Sequence, residues 1–248
     1  MTDDIQLLEE LSLNALPALQ TQFYDGWVLR YTSGYGYTNR ANSVNILYPS
    51  TIDIPTKVLE CENRYSAQGL PTIFKITNGS DAEIDQFLDR QGYTVVNPTY
   101  MMTAEIAFNK NTFNEYAKTD YIDDEWINDY FTLSNYAEPQ KKSIARHVFA
   151  NIKVETHCSR ITRDGKTVAC GLCVVERGYA GLFNIVVDEA YRGKGYGQEV
   201  CDTLLAAAKT NGAHKSFLQV LKTNHIAVNL YTKLGYSTMY SYWYRVKK

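Results

Sequence analysis

The sequence predicts an α/β protein of 248 residues in which one αβ unit occurs twice. Apolar runs typical of strands alternate with helical patterns along most of the chain. In both halves the order helix, glycine, strand, helix, Gly-Tyr, strand recurs at a constant spacing. Only the second half has a glycine-rich loop, Arg192-Gly193-Lys194-Gly195-Tyr196-Gly197, between a strand and a helix. We expect this loop to carry the chemistry.

The first half is predicted to begin with one or two amphipathic helices and to continue with strands and helices. Turn residues at Ser33–Gly36 follow its first strand. The predicted elements are a helical region from Asp4 to about Gln20, strands at Trp27–Tyr31 and Ser43–Tyr48, a helix at Ile54–Gln68, a strand at Thr72–Thr77, a helix at Asp81–Gln91, and two strands between Thr94 and Ala107 that break near Asn97-Pro98.

A polar stretch without a firm period, from Asn109 to about Asp124, is predicted to join two domains, 1–108 and 109–248. A hairpin turn is predicted at Arg163–Lys166. The predicted elements of the second domain are helices at Glu125–Asn135 and Pro139–Ala150, strands at Val154–Thr162, Thr167–Glu176 and Ala180–Val187, a helix from the glycine loop to Lys209, a strand at Ser216–Leu221, a helix at Asn224–Leu234, and one or two strands at Ser237–Val246.

The repeat is visible as pairs of similar residues that are 143 positions apart. The pairs are Gln68-Gly69 with Asn211-Gly212, Phe74 with Phe217, and Gly92-Tyr93 with Gly235-Tyr236. The copies differ where chemistry is expected, because Pro49–Ile54 matches the glycine loop and Leu88 matches Tyr231. We therefore expect the first copy to shape the structure or the substrate site, and one cofactor to bind per chain.

Composition excludes several classes of function. Hydrophobic residues make up 45% of the chain, and the net charge of −2 gives no reason to expect nucleic-acid binding. The first residues lack the basic and apolar regions of a signal peptide, and no apolar run reaches the length of a membrane span. We expect a soluble cytoplasmic protein that contacts no membrane. No feature indicates an oligomeric state.

The five cysteines are scattered, which argues against a disulfide framework. Cys170 and Cys173 form a C-x-x-C inside a strand-like run, without a second pair or a histidine cluster that would complete a metal site. We interpret them as buried strand residues and expect no metal.

The glycine-rich loop has the properties of an anion site. A helix start presents unpaired N–H groups and the positive end of the helix dipole, and glycines let a ligand approach the backbone closely. Arg192 and Lys194 add positive charge. A phosphate or pyrophosphate fits this arrangement, although the loop alone is equally consistent with a turn that binds no ligand.

The second half resembles the GNAT superfamily of acyl-CoA-dependent N-acyltransferases. The loop fits the family pattern [Q/R]-x-x-G-x-[G/A] with Arg192, Gly195 and Gly197, and Gly181–Val187 resembles the family's splayed fourth strand. The pattern L-x-V-x-x-x-N-x-x-A-x-x-x-Y-x-x-x-G-[F/Y] is matched by Leu218, Val220, Asn224, Ala227, Tyr231 and Gly235-Tyr236. The resemblance covers about residues 124–248 and reaches the first half only through the repeat. Glu189 departs from the pattern, since the family usually has proline there.

The resemblance implies two GNAT-like domains, each with a mixed sheet flanked by helices, of which the first is degenerate and lacks the cofactor loop. It implies acetyl-CoA as the co-substrate and Tyr231 as the acid that protonates the leaving thiolate, where a plain core tyrosine is the alternative. The cofactor-binding residues that it implies are Ile185, Val186 and Val187 for the pantetheine arm, Arg192, Gly193, Lys194, Gly195, Tyr196 and Gly197 for the pyrophosphate, and Asn224, which is also a candidate helix cap.

The leading interpretation is an N-acetyltransferase that acts on a primary amine, with a small-molecule acceptor favoured. A lysine-like amine has a pKa of about 10.4 and must lose a proton before it attacks. The candidate bases are Glu155, His157, Glu176 and Glu189, each of which can equally be a solvated surface charge. The aromatic residues that can line an acceptor cleft or form sheet core are Tyr240, Tyr242, Trp243, Tyr244 and the hairpin from Trp27 to Tyr37.

Two other interpretations stay open at this level. A non-catalytic acyl-CoA-binding regulator would bind the cofactor and release no CoA. A dinucleotide-binding domain is disfavoured, because no acidic residue in a matching βαβ context follows the loop at about 20 residues to bind a ribose.

Overall fold

A computed structural model of the protein describes residues 1–32, 38–79, 82–106 and 117–247, with the backbone alone for 117–120. In these ranges the helices are α1 (Asp3–Ala15), α2 (Ile54–Ser66), α3 (Ala82–Arg90), α4 (Asp124–Leu133), α5 (Pro139–Ala150), α6 (Tyr196–Thr210) and α7 (His225–Lys233). The strands are β1 (Gln20–Tyr24), β2 (Trp27–Tyr31), β3 (Val44–Ile46), β4 (Ile73–Thr77), β5 (Thr94–Glu105), β6 (Ala117–Asp120), β7 (Glu155–Arg163), β8 (Lys166–Glu176), β9 (Tyr179–Val187), β10 (Lys215–Leu221) and β11 (Ser237–Val246).

These strands form one continuous mixed sheet, in which the last strand of each half is exchanged. The strand order is β1-β2-β3-β4-β11-β5-β10-β9-β8-β7-β6. Strand β11 of the second half therefore pairs with β4 of the first, and β5 of the first half pairs with β10 of the second. The predicted fold class, a mixed sheet flanked by helices, is confirmed, and the two expected sheets are joined edge to edge.

The two faces of the sheet pack against different helices. On one face, α1, α4 and α5 cover a core that extends across the middle of the sheet. On the opposite face, α2 and α3 cover strands of the first half, whereas α6 and α7 cover strands of the second half. We call these the α1/α4/α5 face and the α6/α7 face.

Most predicted elements are confirmed to within two residues at each end. The first helix ends at Ala15 rather than near Gln20, because Gln20 begins β1, an edge strand that the sequence did not reveal. Strand β6 was also missed, since it lies in the polar stretch that we interpreted as a junction. The predicted turn at Ser33–Gly36 lies outside the described residues.

The predicted break near Asn97-Pro98 is a bulge inside one strand rather than a gap between two. In the pairing of β5 with β11, Val96 and Thr99 face Tyr244 and Tyr242, so β5 has one extra residue. Asn97 has a φ of 51°, which fits the irregular backbone of a bulge. Proline is tolerated there because a bulge leaves an N–H group out of the ladder.

The repeat is visible in the structure as well as in the sequence. The bounds of α7 are those of α3 shifted by 143 residues. The same shift relates the buried residues of α2, which are Lys57, Val58, Cys61 and Tyr65, to those of α6, which are Val200, Cys201, Leu204 and Ala208.

One aligned pair of the repeat is wrong by a single residue. Phe74 packs against α2 and α3, whereas Phe217 packs on the α1/α4/α5 face. Leu218, which packs against α6 and α7, occupies the place that corresponds to Phe74. Neighbouring strand residues point to opposite faces, so a shift of one residue changes the face.

All five cysteines are free and buried, which includes Cys170 and Cys173, for which burial was predicted. Cys170 and Cys173 pack on opposite faces of β8, in the α1/α4/α5 core and the α6/α7 core respectively, and therefore cannot bind one ion together. Within the described residues, no helix combines the length and the apolar character needed to cross a bilayer. The predicted domain boundary at 108/109 falls in 107–116, outside the described residues, and stays a prediction.

Candidate active site

The centre of the candidate site is a gap between two parallel strands. Strands β9 and β10 pair from Tyr179 and Lys215 as far as Leu182 and Leu218. Both strands continue beyond that point, β9 to Val187 and β10 to Leu221, but in the described chain they no longer pair with each other. The strands therefore part, as the resemblance implied for Gly181–Val187.

A bulge in β9 lies where the strands part. Between its pairs with β8, from Phe183–Leu172 to Val186–Cys170, strand β9 has one extra residue. Asn184 has a φ of 53°, an uncommon value for a residue other than glycine. The bulge bends β9 away from β10, and Ile185, Val186 and Val187 beyond it are half-buried. Their backbone can pair with an extended ligand that enters the gap as an added strand would.

The glycine loop lies between the end of β9 and the start of α6. Gly193 and Gly195 have φ values of 74° and 88°, which L side chains rarely adopt, and Gly195 is the N-cap of α6. In the part of the chain that the structure describes, the N–H groups of Gly193, Lys194 and Gly195 donate no hydrogen bond to the protein. These donors lie at the positive end of a 15-residue helix, an arrangement that can hold an anion.

Positive side chains surround this loop. The Lys194 ammonium lies 4.8 Å from the centroid of the Tyr191 ring, and the Arg163 guanidinium lies 5.0 Å from that of Tyr196. Arg192 is exposed and its guanidinium lies 3.4 Å from the carboxylate of Glu189. An exposed pair of this kind contributes little to stability, so Arg192 can exchange Glu189 for a phosphate.

Tyr231 lies in α7 and packs into the α6/α7 core with 9% of its surface exposed. Its ring lies 6.0 Å from that of Tyr236. Burial raises the pKa of the Tyr231 phenol well above its usual value, with a smaller effect from Cys201. The phenol is therefore protonated at neutral pH, which is the form that a proton donor requires.

Asn224 caps α7, as the sequence predicted. Its Oδ1 atom accepts a hydrogen bond from the N–H group of Ala227 at 3.1 Å. The residue is exposed, so its remaining amide donors face solvent. The implied contact with a cofactor stays a prediction.

In the first half, the matching loop is closed by the protein's own carboxylate. Asp25 accepts hydrogen bonds from the N–H group of Thr51 at 2.9 and 3.0 Å, from the Thr51 hydroxyl at 2.8 Å and from the N–H group of Ile52 at 2.8 Å. Thr51 and Ile52 match Lys194 and Gly195 of the open loop. Backbone hydrogen bonds hold the pKa of Asp25 well below its usual range, so the group is a carboxylate at neutral pH.

A buried lysine completes this closed loop. The Lys57 ammonium is fully buried, lies 3.2 Å from the Asp25 carboxylate and 3.9 Å from the centroid of the Trp27 ring. It stands where α6 has Val200. Gly26 lets the β1–β2 turn reach the loop, because a Cβ atom there would lie 2.3 Å from the Pro49 carbonyl oxygen.

The structure places three of the four candidate bases far from the glycine loop. Glu155 and Glu176 lie where β7 begins and β8 ends, beside the start of β9, roughly 25 Å along the strand from the loop. His157 contacts Asn211 at the far end of α6, about 22 Å from the helix start. Glu189 lies beside the loop and is 76% exposed. The sequence alone does not show in which direction each strand runs, so it could not indicate which of these residues lie at the loop end of the sheet.

Comparisons with known proteins agree with this geometry. The family model "Probable histone acetyltransferase Rv0428c C-terminal" matches residues 2–245. The Bacillus subtilis protein named uncharacterized N-acetyltransferase YobR is 34% identical over 254 residues, which cover 99% of this chain and 100% of that protein. A GCN5-related N-acetyltransferase from Kribbella flavida superposes with a TM-score of 0.71 at 14% identity, covering 98% of this chain and 95% of its own. A tandem GNAT protein from the clavulanic acid biosynthesis pathway gives 0.68 at 12% identity, covering 99% and 95%.

A parted strand pair beside an open helix start is the arrangement that the resemblance to acyl-CoA-dependent acyltransferases implied. Together with the matches over nearly the full chain, this identifies the class. The chain belongs to the GNAT family and is an N-acetyltransferase.

Sequence reasoning missed the residues that close the first loop. Asp25 lies in a turn far from Thr51 along the chain, so no local pattern connects them. A signal existed in Lys57, a charged residue at a buried position of an amphipathic helix, because a buried charge requires a partner.

Proposed function

We propose that the protein transfers the acetyl group of acetyl-CoA to a primary amine of a small molecule by direct attack. The amine nitrogen forms a bond to the thioester carbon while the C–S bond breaks. The nitrogen loses its proton to water, and the leaving thiolate takes a proton from Tyr231. Binding both reactants side by side in the gap replaces a bimolecular encounter with an oriented one.

The observation that carries this proposal is the open loop next to the parted strands. The N–H groups of Gly193, Lys194 and Gly195 are free to bind a pyrophosphate. The half-buried backbone from Ile185 to Val187 forms the end of β9, a few residues before this loop. Its extended form suits a pantetheine arm. An N–H group there can also polarise the thioester carbonyl, as an oxyanion hole does.

We assign the cofactor to the predicted second domain, 109–248, and a non-catalytic role to 1–108. Asp25 supplies the negative charge that the first loop would otherwise take from a ligand. Leu88, fully buried in α3, stands where α7 has Tyr231. One acetyl-CoA per chain is the consequence.

A transfer assay tests this function. The full chain is incubated with acetyl-CoA and a panel of primary amines, free CoA is measured with a thiol reagent, and acetylated amine is measured by mass spectrometry. We expect both products in equal amounts with at least one amine. Tight binding of acetyl-CoA without release of CoA with any amine would instead indicate a regulator.

A further inference from the structure

Five side chains form a polar network that extends from the first half to the gap between β9 and β10. Lys75 Nζ lies 2.5 Å from Glu9 Oε2, and the Tyr240 hydroxyl donates to Glu9 Oε1 at 2.6 Å. The Lys75 ammonium also lies 4.0 Å from the centroid of the Tyr242 ring, and the Tyr242 hydroxyl donates to Gln219 Oε1 at 3.0 Å. The network therefore ends at Gln219.

All members of this network except Gln219 are at least nine-tenths buried, with exposed fractions of 1% for Glu9, 4% for Lys75, and 2% each for Tyr240 and Tyr242. Removing one partner of such a buried pair is costly, because it leaves the other charge without compensation. The four groups therefore hold one another in a fixed geometry, and Tyr242 presents its hydroxyl to Gln219 in a fixed position.

The exchange of strands makes this network possible. Glu9 and Lys75 come from α1 and β4 of the first half, whereas Tyr242 lies on β11, which pairs with β4. Without the exchange, β4 would pair with β5 of its own half. The first half is thus connected to the gap between β9 and β10 through the pairing of β4 with β11 rather than through a loop.

Gln219 stands at the point where the strands part. It directly follows Leu218, the last residue of β10 that pairs with β9. Its side chain lies on the α1/α4/α5 face, since Tyr242 belongs to that core. Tyr231 and the start of α6 lie on the other face, so Gln219 and Tyr231 flank the gap from opposite faces of the sheet.

The Gln219 amide has donors to spare. Its oxygen accepts from Tyr242, and in the described residues its Nε2 group makes no hydrogen bond. An amide nitrogen donates and does not accept. The lone pair of an attacking amine must stay free to reach the thioester carbon, so the acceptor atom left for this group is an oxygen of the ligand.

We propose that Gln219, held in place by Tyr242 and the Lys75–Glu9 pair, is a positioning residue that selects primary amines with a carbonyl or carboxylate oxygen close to the nitrogen. This inference rests on the proposed acetyl transfer and specifies its acceptor. The Nε2 group donates to the acceptor oxygen and thereby aims the amine at the thioester carbon.

The charge on this face agrees with such an acceptor. Burial raises the pKa of Tyr242 to about 12, and the Arg40 guanidinium acts against that rise. Arg40 is therefore one of the charged groups whose field reaches Tyr242. The Arg40 carbonyl accepts from the buried Arg30 at 2.7 Å. No carboxylate in the described chain forms an ion pair with Arg40. Arg40 therefore adds positive charge on the side of Tyr242.

The test compares two amines, alaninamide and n-butylamine, through the ratio of their kcat/KM values. We expect Gln219→Met and Gln219→Glu to lower this ratio about tenfold relative to the wild type, which corresponds to one lost hydrogen bond. The KM for acetyl-CoA should change less than twofold. Gln219→Glu keeps an acceptor for Tyr242, loses the donors and adds a negative charge, whereas Gln219→Met loses the donors without adding a charge, so a similar fall in both variants assigns the effect to the lost donors. Tyr242→Phe should lower the ratio less.

Tyr93→Phe is the matched control, since it removes one hydrogen bond of a buried tyrosine, to Glu62 at 2.8 Å, away from the gap. Its ratio should equal that of the wild type. An unchanged ratio in Gln219→Glu overturns the role of Gln219 while acetyl transfer stands. Absence of transfer to both amines and to the wider amine panel, with acetyl-CoA bound, overturns the proposed function and this inference together.

Discussion

The loops at 49–54 and 192–197 lead into matching helices, yet only the second leaves its backbone donors open. In the first loop the N–H groups of Thr51 and Ile52 bind the carboxylate of Asp25. In the second, the N–H groups at the matching positions 194 and 195 bind nothing in the described chain. Both helix starts attract negative charge, and the halves differ in where that charge comes from.

This difference shows how a repeated unit can lose a ligand site and keep its fold. The α2 helix keeps the buried positions of α6, but Lys57 replaces Val200 and neutralises Asp25 within the core. Loss of the glycines alone would leave unsatisfied donors at a helix start. The internal carboxylate of Asp25 satisfies donors at this helix start, so they need no bound anion.

The largest expected effect separates the other pair of matching helices, α3 with Leu88 and α7 with Tyr231. Tyr231→Phe should lower kcat by about 10²-fold, the scale of a lost general acid. Acetyl-CoA affinity, measured by calorimetry, should change less than twofold. Tyr236→Phe, which removes a hydrogen bond to Ser216 in the same core, serves as the control. Equal kcat values for the two variants would remove the acid role.

The open loop is tested at its helix cap. Gly195→Ala places an L residue at a φ of 88° and should shift the N–H groups that face the cofactor, raising the Kd for acetyl-CoA about tenfold or more. Gly212→Ala is the matched control, because Gly212 has a φ of 87° at the other end of α6. Both variants should lose similar stability. A Kd that rises equally in both would mean that the loop geometry is not specific to binding.

The closed loop is tested by removing its carboxylate. Asp25→Ala leaves the donors of Thr51 and Ile52 and the buried Lys57 without their partner, so Tm should fall by several degrees. Inorganic phosphate should restore part of this loss and have a smaller effect on the wild type. Asp164→Ala, in the corresponding Asp-Gly turn of the second half, should change Tm less. If phosphate raises Tm equally in all three proteins, the carboxylate does not take the place of an anion.

The smallest effect is the dependence on pH. The pKa of Asp25 is lowered in the folded protein, so its contribution is complete above the unfolded value of about 3.9 and is lost as pH falls towards the folded value. The Tm difference between the wild type and Asp25→Asn should therefore be constant from pH 7 to about pH 5 and shrink below pH 4. A difference that disappears between pH 7 and pH 6 would assign the effect to another group.

The local elements and the open glycine loop before α6 could be predicted from the sequence, because periodicity, glycine stops and the family pattern are local signals. The exchange of β5 and β11 could not, since either strand would present the same apolar pattern to its own half. The one-residue shift between Phe74 and Leu218 also escaped, because phenylalanine suits both faces of the sheet. The features that the sequence could not predict depend on contacts between segments that are far apart in the chain. Examples are the contact of Asp25 with Thr51 and that of Gln219 with Tyr242.

The most direct test of the account is the stoichiometry of acetyl-CoA binding to the full chain, measured by isothermal titration calorimetry. An open loop in one half and a loop closed by Asp25 in the other predict one equivalent per chain, and the same single equivalent for Asp164→Ala. Gly195→Ala should weaken that one site without revealing another. Two equivalents of similar affinity in the wild type would contradict the account.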